Sequence, residues 1–290
     1  MTVLVTGATG FIGRHLLRRL SGHHDVVATA RAEPPAELAG LARWVRADLS
    51  APLDHAALPE RLDTVVHLAQ SSRYREFPEG TEDVLAVNVA APAALLDHAR
   101  RAGARRFVLV STGGVYGHHP AHVAEEQPVA PIGFYQASKY AAEVLLAPYA
   151  ELMTTVVLRP FFVYGPGQRG MLVASLAQRV LARDEVTVDG DPGLRINPIH
   201  VTDAARAIEA AVALDVPAVV NLAGDEVVSI TGLVRALADA AGVPPRIAHR
   251  DASAAGDLLG DNARMRTVLG VAPEVPLADG LRGVVGELGG

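Results

Sequence analysis

Short apolar runs alternate with longer amphipathic segments over the first half of the chain. Short apolar runs are typical of buried strands, and apolar residues recurring every three or four positions are typical of helices packed on a sheet. The predicted strands are Thr2–Thr6, Asp25–Ala30, a weak one at Trp44–Arg46, Thr64–Leu68, Arg106–Val110 and Thr154–Leu158. The predicted helices are Phe11–Leu20, Val84–Ala102 and Phe134–Leu152. This order predicts an α/β fold with a doubly wound parallel sheet.

The regular alternation of strands and helices ends after Arg159, where loops rich in glycine and proline separate the apolar segments. Ala218–Leu222 is predicted to be a strand that returns to the sheet. Further helices are predicted near 171–183, 202–213, 230–242 and 277–287. We therefore expect one large domain and a smaller α/β C-terminal lobe built from interleaved segments.

The boundaries that follow place residues 1–165 in the first domain, with 196–224 returning to it. The C-terminal lobe then consists of residues 166–195 and 225–290.

Composition excludes several classes of protein. The net charge is −6, so the chain lacks the basic footprint of a nucleic-acid-binding protein. It has no cysteine, which excludes disulfides and thiolate metal sites and fits a reducing compartment. No uninterrupted apolar stretch reaches the ~18 residues of a membrane span, and the N-terminal segment lacks the basic region of a signal peptide. We expect a cytoplasmic protein that binds neither nucleic acid nor membranes.

The chain has a single lysine, Lys139, among 26 basic residues, and it follows Tyr135 by four positions. On a helix these two side chains lie on the same face. Arginine cannot replace lysine as a compact point charge, so one retained lysine indicates a site that needs an ammonium. A nearby ammonium favours the phenolate and is expected to lower the pKa of Tyr135, which would suit it to proton transfer.

A glycine-rich turn follows the first predicted strand and opens the first helix. Such a turn brings the backbone close to a pyrophosphate at a helix N-terminus, as in Rossmann-type dinucleotide sites. The predicted cofactor-binding residues of this turn are Gly7, Thr9, Gly10, Phe11, Ile12 and Gly13. The first domain is accordingly predicted to be a dinucleotide-binding Rossmann domain, and the C-terminal lobe to bind the substrate.

The end of the second strand carries Arg31 and no acidic residue. An acid there usually binds the ribose hydroxyl of NAD, whereas an arginine binds the 2′-phosphate of NADP. The sequence therefore favours NADP, with NAD as the alternative. Ser111 and Thr112 follow the fifth strand, where a hydroxyl can face the ligand crevice and donate to a reacting oxygen.

In combination, these features resemble the extended short-chain dehydrogenase/reductases of the NAD-dependent epimerase/dehydratase family, over the whole chain. The resemblance implies that Thr112, Tyr135 and Lys139 are the catalytic triad. It also assigns cofactor contacts to Asp48, Leu49, Leu68, Ala69, Asn88, Tyr135, Lys139 and Pro160, and substrate contacts to Ser111, Thr112, Phe162 and Arg195. Arg195 matches the arginine that binds the phosphate of the substrate. The family often forms homodimers through four helices, which the helices near 84–102 and 134–152 would supply.

The chain departs from the family pattern at two places. Gly113 and Gly114 follow Thr112 where the dehydratases of the family carry an acidic pair, so the groups that drive elimination are absent. Phe162 stands where an asparagine commonly helps to bind the substrate phosphate. Both departures favour a reaction other than dehydration and a less polar pocket.

The resemblance thus implies hydride transfer, with Tyr135 as the acid and base, Lys139 holding the nicotinamide ribose and Thr112 orienting the substrate oxygen. Our first hypothesis is an NAD(P)-dependent ketoreductase acting on a nucleotide-activated deoxysugar. The alternatives are a nucleotide-sugar 4-epimerase with tightly bound NAD and a cofactor-binding regulatory protein without catalysis.

The histidines at 118, 119 and 122 have the ligand types of a metal site. Pro120 interrupts the helix that would align them, and a structural metal site needs ligands in fixed geometry. We therefore predict no metal here and expect this loop to border the substrate cleft.

Overall fold

The computed structural model describes residues 1–251 and 256–289. Seven parallel strands form the central sheet and four short strands form two small sheets beside it. In chain order the strands are β1 Thr2–Thr6, β2 Asp25–Ala30, β3 Arg43–Arg46, β4 Thr64–His67, β5 Arg106–Val110, β6 Thr154–Pro160, β7 Val186–Asp189, β8 Arg195–Ile196, β9 Ala218–Leu222, β10 Val228–Ser229 and β11 Ile247–Arg250. The order across the central sheet is β3-β2-β1-β4-β5-β6-β9. The prediction of a doubly wound parallel sheet is confirmed.

Helices cover both faces of this sheet and fill the C-terminal lobe. In chain order they are α1 Phe11–Leu20, α2 Ala36–Ala39, α3 Thr81–Leu85, α4 Ala91–Arg101, α5 Phe134–Leu146, α6 Leu172–Leu181, α7 Val201–Val212, α8 Ile230–Ala241, α9 Ala263–Thr267 and α10 Leu277–Gly289. Within the described ranges, no helix is both long and apolar enough to cross a bilayer.

Burial explains why the sheet could be predicted. Val3, Leu4 and Val5 of β1 are fully buried because helices cover both faces of a parallel sheet. On α1, Leu16, Leu17 and Leu20 face this core and are buried with them. The apolar run of β1 and the helical periodicity of α1 therefore correspond to residues that are buried in the structure.

Two predicted helices are interrupted in the structure. The segment predicted as Val84–Ala102 begins at α3 and passes through one turn of π-helix, Ala86–Ala90, before α4. The segment predicted as Phe134–Leu152 leaves the α-helix after Leu146, and Pro148 lies in the 3₁₀ turn that follows. Proline removes a backbone donor and is tolerated only at the start of such a turn.

The C-terminal lobe has its own core. Helices α6, α8 and α10 pack together through residues such as Leu176, Leu233 and Leu281. Strand β11 pairs with β7 in parallel, and β10 pairs with β8 antiparallel. The exact division of the chain between domain and lobe, at 165/166, 195/196 and 224/225, stays a prediction.

Candidate active site

A cavity of about 530 Å³ opens at the carboxyl ends of the central strands, where ligands bind in open α/β sheets. Most of the predicted site residues line it: Gly7, Thr9, Gly10, Phe11, Ile12, Gly13, Arg31, Asp48, Leu49, Leu68, Ala69, Ser111, Thr112, Tyr135, Pro160 and Phe162. The cavity also has walls that sequence reasoning missed, among them Gln70, Tyr74, Met171 and Leu258. Asn88, Lys139 and Arg195 do not line it.

The glycine turn is shaped to approach a ligand closely. Gly7 has φ +69°, and a Cβ there would lie 2.6 Å from the backbone nitrogen of Ala69. A Cβ at Gly13 would collide with the backbone of Gly7 and Ala8, so the helix packs on the turn only because Gly13 has none. Gly10 precedes α1 and offers no side chain to cap the helix. The N–H groups of its first turn can therefore bind a pyrophosphate, and the turn fits a dinucleotide.

Arg31 and Asp48 lie together at the other end of this cofactor groove. Asp48 Oδ1 accepts hydrogen bonds from the backbone nitrogen and the hydroxyl of Ser50, at 3.0 and 2.7 Å. These bonds lower the pKa of the Asp48 carboxyl, and the charge of Arg31 lowers it further. One cation and one fixed carboxylate therefore face the adenosine end of the groove.

Tyr135 and Thr112 meet where β5 ends and α5 begins. The Tyr135 hydroxyl donates to Gln70 Oε1 at 2.9 Å, and a hydrogen bond with Thr112 also reaches it. Thr112 Oγ1 in turn accepts from the backbone nitrogen of Gly114 at 3.1 Å. The phenol and the hydroxyl predicted to work together are thus neighbours in the cavity wall.

Lys139 is buried one turn after Tyr135, on the same side of α5. Burial lowers the pKa of Lys139 to about 8, although the carboxylate of Glu143 acts in the opposite direction. Burial also raises the pKa of the Tyr135 phenol, with Tyr74 adding to the rise. The expectation of a lowered Tyr135 pKa is therefore wrong for this arrangement, because burial disfavours the charged phenolate.

His67 lies buried at the end of β4 beside these residues. Its Nδ1 shares a hydrogen bond with the Thr6 hydroxyl at 2.8 Å. Burial, with the Lys139 charge second, lowers the pKa of His67 to about 3, so the ring is neutral at physiological pH. Its Nε2 is buried and has no hydrogen-bond partner among the described residues.

A buried network of polar side chains connects α5 to β6. Glu143 follows Lys139 by one turn and accepts hydrogen bonds from Arg159 on β6 and from the Ser111 hydroxyl. Arg159 Nη1 donates to the Tyr116 hydroxyl at 2.6 Å, which donates to Asn221 Oδ1 at 2.9 Å. This network was not predicted, because its members come from separate elements.

Asn88 lies in the π-helical turn and holds two other segments. Its Oδ1 accepts from the backbone nitrogen of Ser71 at 2.8 Å, and its Nδ2 donates to Ser138 Oγ at 3.0 Å. Asn88 thus ties the loop after β4 to α5. The extra residue of a π-helical turn is a common way to direct a side chain into a site.

The substrate end of the cavity is apolar on one side, where Phe162, Met171 and Leu258 line it. Phe162 has φ +43°, a conformation that a bulky residue rarely adopts. The Tyr74 ring packs on Tyr135 with centroids 4.9 Å apart, and its hydroxyl donates to the Met171 sulfur at 3.1 Å. A loop that the sequence left unassigned therefore covers Tyr135.

Arg195 lies outside the cavity walls and is already paired. Its side-chain Nε donates to Asp257 Oδ2 at 2.9 Å, and its backbone nitrogen donates to Oδ1 at 3.0 Å. This interaction lowers the pKa of Asp257, and His118 contributes a smaller effect in the same direction. The histidine loop thus lies beside Arg195. Among the residues that the structure describes, no three histidines or carboxylates are grouped to hold a metal.

Comparison with known proteins agrees with this geometry. Residues 3–223 match the model of the NAD dependent epimerase/dehydratase family. The chain therefore belongs to this family, as predicted from the sequence. The expectation of an NAD(P)-dependent enzyme of the short-chain dehydrogenase/reductase type is confirmed with it.

Relatives of the chain include both of the enzyme types anticipated. A dTDP-4-dehydro-6-deoxy-D-allose reductase from Streptomyces bikiniensis is 34% identical, over 97% of this chain and 94% of the relative. A UDP-glucose 4-epimerase from Mycolicibacterium smegmatis is 33% identical, over 97% of this chain and 96% of the relative. The reductase and the epimerase hypotheses are thus both supported.

Solved structures give the same fold. A UDP-glucuronic acid 4-epimerase from Bacillus cereus, in complex with UDP-glucuronic acid and NAD, superposes with a TM-score of 0.90 at 26% identity. The match covers 100% of this chain and 99% of that one. Structural neighbours of the chain thus bind NAD.

Proposed function

We propose that this protein is an NADP(H)-dependent ketoreductase that acts on a nucleotide-activated deoxysugar. The observation that carries the proposal is the meeting of Tyr135 and Thr112 at the substrate end of a glycine-lined dinucleotide groove. The reductase relative, which shares about a third of its residues with this chain, supports the choice of reaction.

The side chains have separate tasks in this reaction. Thr112 donates to the substrate ketone and holds it beside Tyr135, which gives its proton to the same oxygen. When bound, the cofactor would supply the hydride to the carbonyl carbon. Lys139, charged below a pH of about 8, stabilises the phenolate that Tyr135 becomes, and in this proposal it would also hold the nicotinamide ribose. Asn88 fixes the start of α5 and the loop that covers the site.

Arg31 supports NADP over NAD. It lines the groove at the end of β2, exposed and free to turn toward a 2′-phosphate. The carboxylate of Asp48 also lines the groove and is held by Ser50 rather than by Arg31. We therefore expect Arg31→Ala to weaken binding of NADPH by about 1.5–3 kcal/mol, the contribution of a charged hydrogen bond, and to leave NADH binding unchanged. Equal binding of both cofactors by the unaltered protein would refute the preference for NADP.

The apolar wall supports a deoxygenated sugar. A sugar hydroxyl facing Phe162, Met171 or Leu258 would lose its hydrogen bonds to water and gain none. A methyl group of a deoxysugar would instead gain contact with these side chains. Arg195 supports a nucleoside diphosphate, because a guanidinium forms strong paired hydrogen bonds with phosphate.

Gly113 argues against dehydration. A Cβ at this position would lie 2.5 Å from the ring of Phe161, which is fully buried. A side chain at this position would therefore require the Phe161 ring to move. Glycine here also lacks the acidic group on which the elimination chemistry of the dehydratases depends.

The epimerase alternative uses the same residues with the hydride removed and returned on the other face. It predicts NAD that stays bound through purification, whereas a reductase exchanges its cofactor freely. A protein that binds cofactor but turns over no substrate would indicate the regulatory alternative.

The decisive assay combines NADPH with a dTDP-4-dehydro-6-deoxyhexose and follows NADPH oxidation. Tyr135→Phe should bind NADPH normally and lower turnover by at least ~10², the usual contribution of a general acid. Near-normal turnover of this variant would refute the role of Tyr135. UDP-glucose, supplied without NADPH, tests for epimerisation.

Homodimer formation in the cytoplasm completes the proposal. Val144 and Leu145 on α5 and Leu152 after it are exposed although they are large and apolar. Packing of α4 and α5 against the same helices of a second copy would bury them. Sedimentation of Val144→Glu against the unaltered protein tests this contact.

A further inference from the structure

Gln70 is the hydrogen-bond partner of the reacting hydroxyl, and nothing in the sequence singled it out. It is the third residue after β4, exposed to the cavity, and its Oε1 accepts the Tyr135 proton at 2.9 Å. A phenol has one proton to donate. While Gln70 holds that proton, Tyr135 cannot donate to a substrate oxygen.

A carboxamide differs from other acceptors because it also carries two N–H donors. Rotation of the amide about its last side-chain torsion replaces the oxygen by the nitrogen near the same position. The same side chain can thus accept from the phenol and donate to the phenolate. Hydrogen bonds to an ionised acceptor are about twice as strong as those between neutral groups.

This property matters here because the surroundings of Tyr135 disfavour its ionisation. Tyr74 packs on it from the loop after β4, Thr112 reaches it from the end of β5, and Lys139 lies one turn after it on α5. The nearby His67 is neutral and contributes no positive charge. A neutral donor at the phenolate oxygen would offset the cost of burial.

We propose that Gln70 is a positioning residue for the proton transfer of Tyr135, accepting its proton in the resting site and donating to the phenolate after the proton leaves. In reduction, the ketone oxygen displaces Gln70 Oε1 and takes the proton from Tyr135 as the carbonyl carbon receives the hydride. The O–H bond of Tyr135 breaks, a new O–H bond forms on the product, and the phenolate regains a proton from water. The inference rests on the proposed role of Tyr135 as the acid and base.

Two substitutions distinguish the acceptor role of Gln70 from its donor role. Gln70→Met keeps the length of the side chain and removes both acceptor and donor. Gln70→Glu keeps the acceptor, loses the donor and adds a negative charge. Since Gln70 is an exposed loop residue, neither change should disturb folding. Gln136→Met is the matched control, because the Gln136 side chain lies beside Gly114 and Gly133 rather than at the Tyr135 hydroxyl.

The experiment measures the pKa of Tyr135 in the full protein with NADP⁺ bound. An ultraviolet titration of tyrosinate, from which that of the Tyr135→Phe protein is subtracted, reports this residue alone. Gln70→Met should raise the pKa by about one to two pH units, the effect of losing a hydrogen bond to a charged group. Gln70→Glu should raise it further, and Gln136→Met should leave it unchanged. Equal pKa values in all four proteins would overturn the inference.

Turnover separates this inference from the proposed function. With NADPH and a dTDP-4-dehydro-6-deoxyhexose, Gln70→Met should lower kcat roughly tenfold and change KM little, since the interaction forms as the charge develops. An unaltered protein that does not reduce this sugar would refute the proposed function, while the titration would still decide the role of Gln70. A normal kcat and an unshifted titration in Gln70→Met would overturn the inference and leave the function standing.

Discussion

Two arginine–carboxylate pairs flank the site and differ in nearly every physical respect. Arg159 and Glu143 each expose about 6% of their side chains and connect β6 to α5. Arg195 exposes 50% and its partner Asp257 13%. The buried pair has no access to water, so neither member can leave its partner without a large cost. The exposed pair is screened by solvent and can exchange Asp257 for another anion. The same chemistry thus serves as scaffold in one place and, in the proposed function, as a ligand contact in the other.

The largest effect is a loss of stability, expected at the buried pair of Arg159 and Glu143. Glu143→Leu leaves the Arg159 guanidinium buried without its counter-ion, which should lower the free energy of unfolding by about 3–5 kcal/mol. Urea unfolding measures this loss. The double variant Glu143→Leu/Arg159→Met should recover most of it, because two apolar side chains need no counter-charge. Asp257→Asn, at the exposed pair, should cost less than about 1 kcal/mol. Equal losses at both pairs would contradict the distinction.

Lys139 depends on the buried pair, since the carboxylate of Glu143 supports its charge. Lys139→Arg should lower turnover about a hundredfold, because the planar guanidinium cannot occupy the space of an ammonium. With the folded pKa lowered to about 8, the lysine is charged below that pH and neutral above it. The kcat of the unaltered protein should therefore fall as the pH rises through about 8. A pH profile that is flat across this range would show that the ammonium is not required.

The smallest effect is a change in ligand binding, expected at the exposed pair of Arg195 and Asp257. Arg195→Ala should weaken the binding of dTDP to the NADP⁺-loaded protein about tenfold, the lower end for a charged hydrogen bond because solvent screens it. Asp257→Asn should strengthen binding a few-fold, because it releases Arg195 without removing it. Calorimetry at two salt concentrations measures both, and higher salt should reduce each difference. If dTDP binds equally to all three proteins, Arg195 does not contact the nucleotide. If dTDP binds to none of them and Arg195→Ala is fully active, the substrate is a ketone without a nucleotide.

The sequence predicted what depends on local patterns. β1 and α1 have the predicted bounds because each buries a complete apolar face. Strands β8 and β10 escaped prediction because each is only two residues long, and β11 because it is half exposed. Short strands of this kind carry too little periodicity to be told from loops.

The residues of the site fall into the same two groups: those in local sequence patterns were predicted, and those that act through distant contacts were not. The glycine turn and the Tyr135–Lys139 spacing are local, and the structure places them at one cavity. Gln70 lies 65 positions from Tyr135, and Asp257 lies 62 positions from Arg195. Contacts across such separations follow from the packing of the sheet and lobe. A polar loop residue gives no sign of its distant partner in one sequence.

The burial of Lys139 has a consequence for protein chemistry. It is the only side-chain amine in 290 residues, so an acylating reagent finds no other lysine to modify. The lowered pKa leaves an appreciable fraction of it in the nucleophilic amine form near neutral pH, while burial keeps reagents away. The rate at which this one amine reacts therefore reports how often the catalytic helix opens. Comparing that rate with and without bound cofactor would measure the opening of the active site without an assay for the reaction.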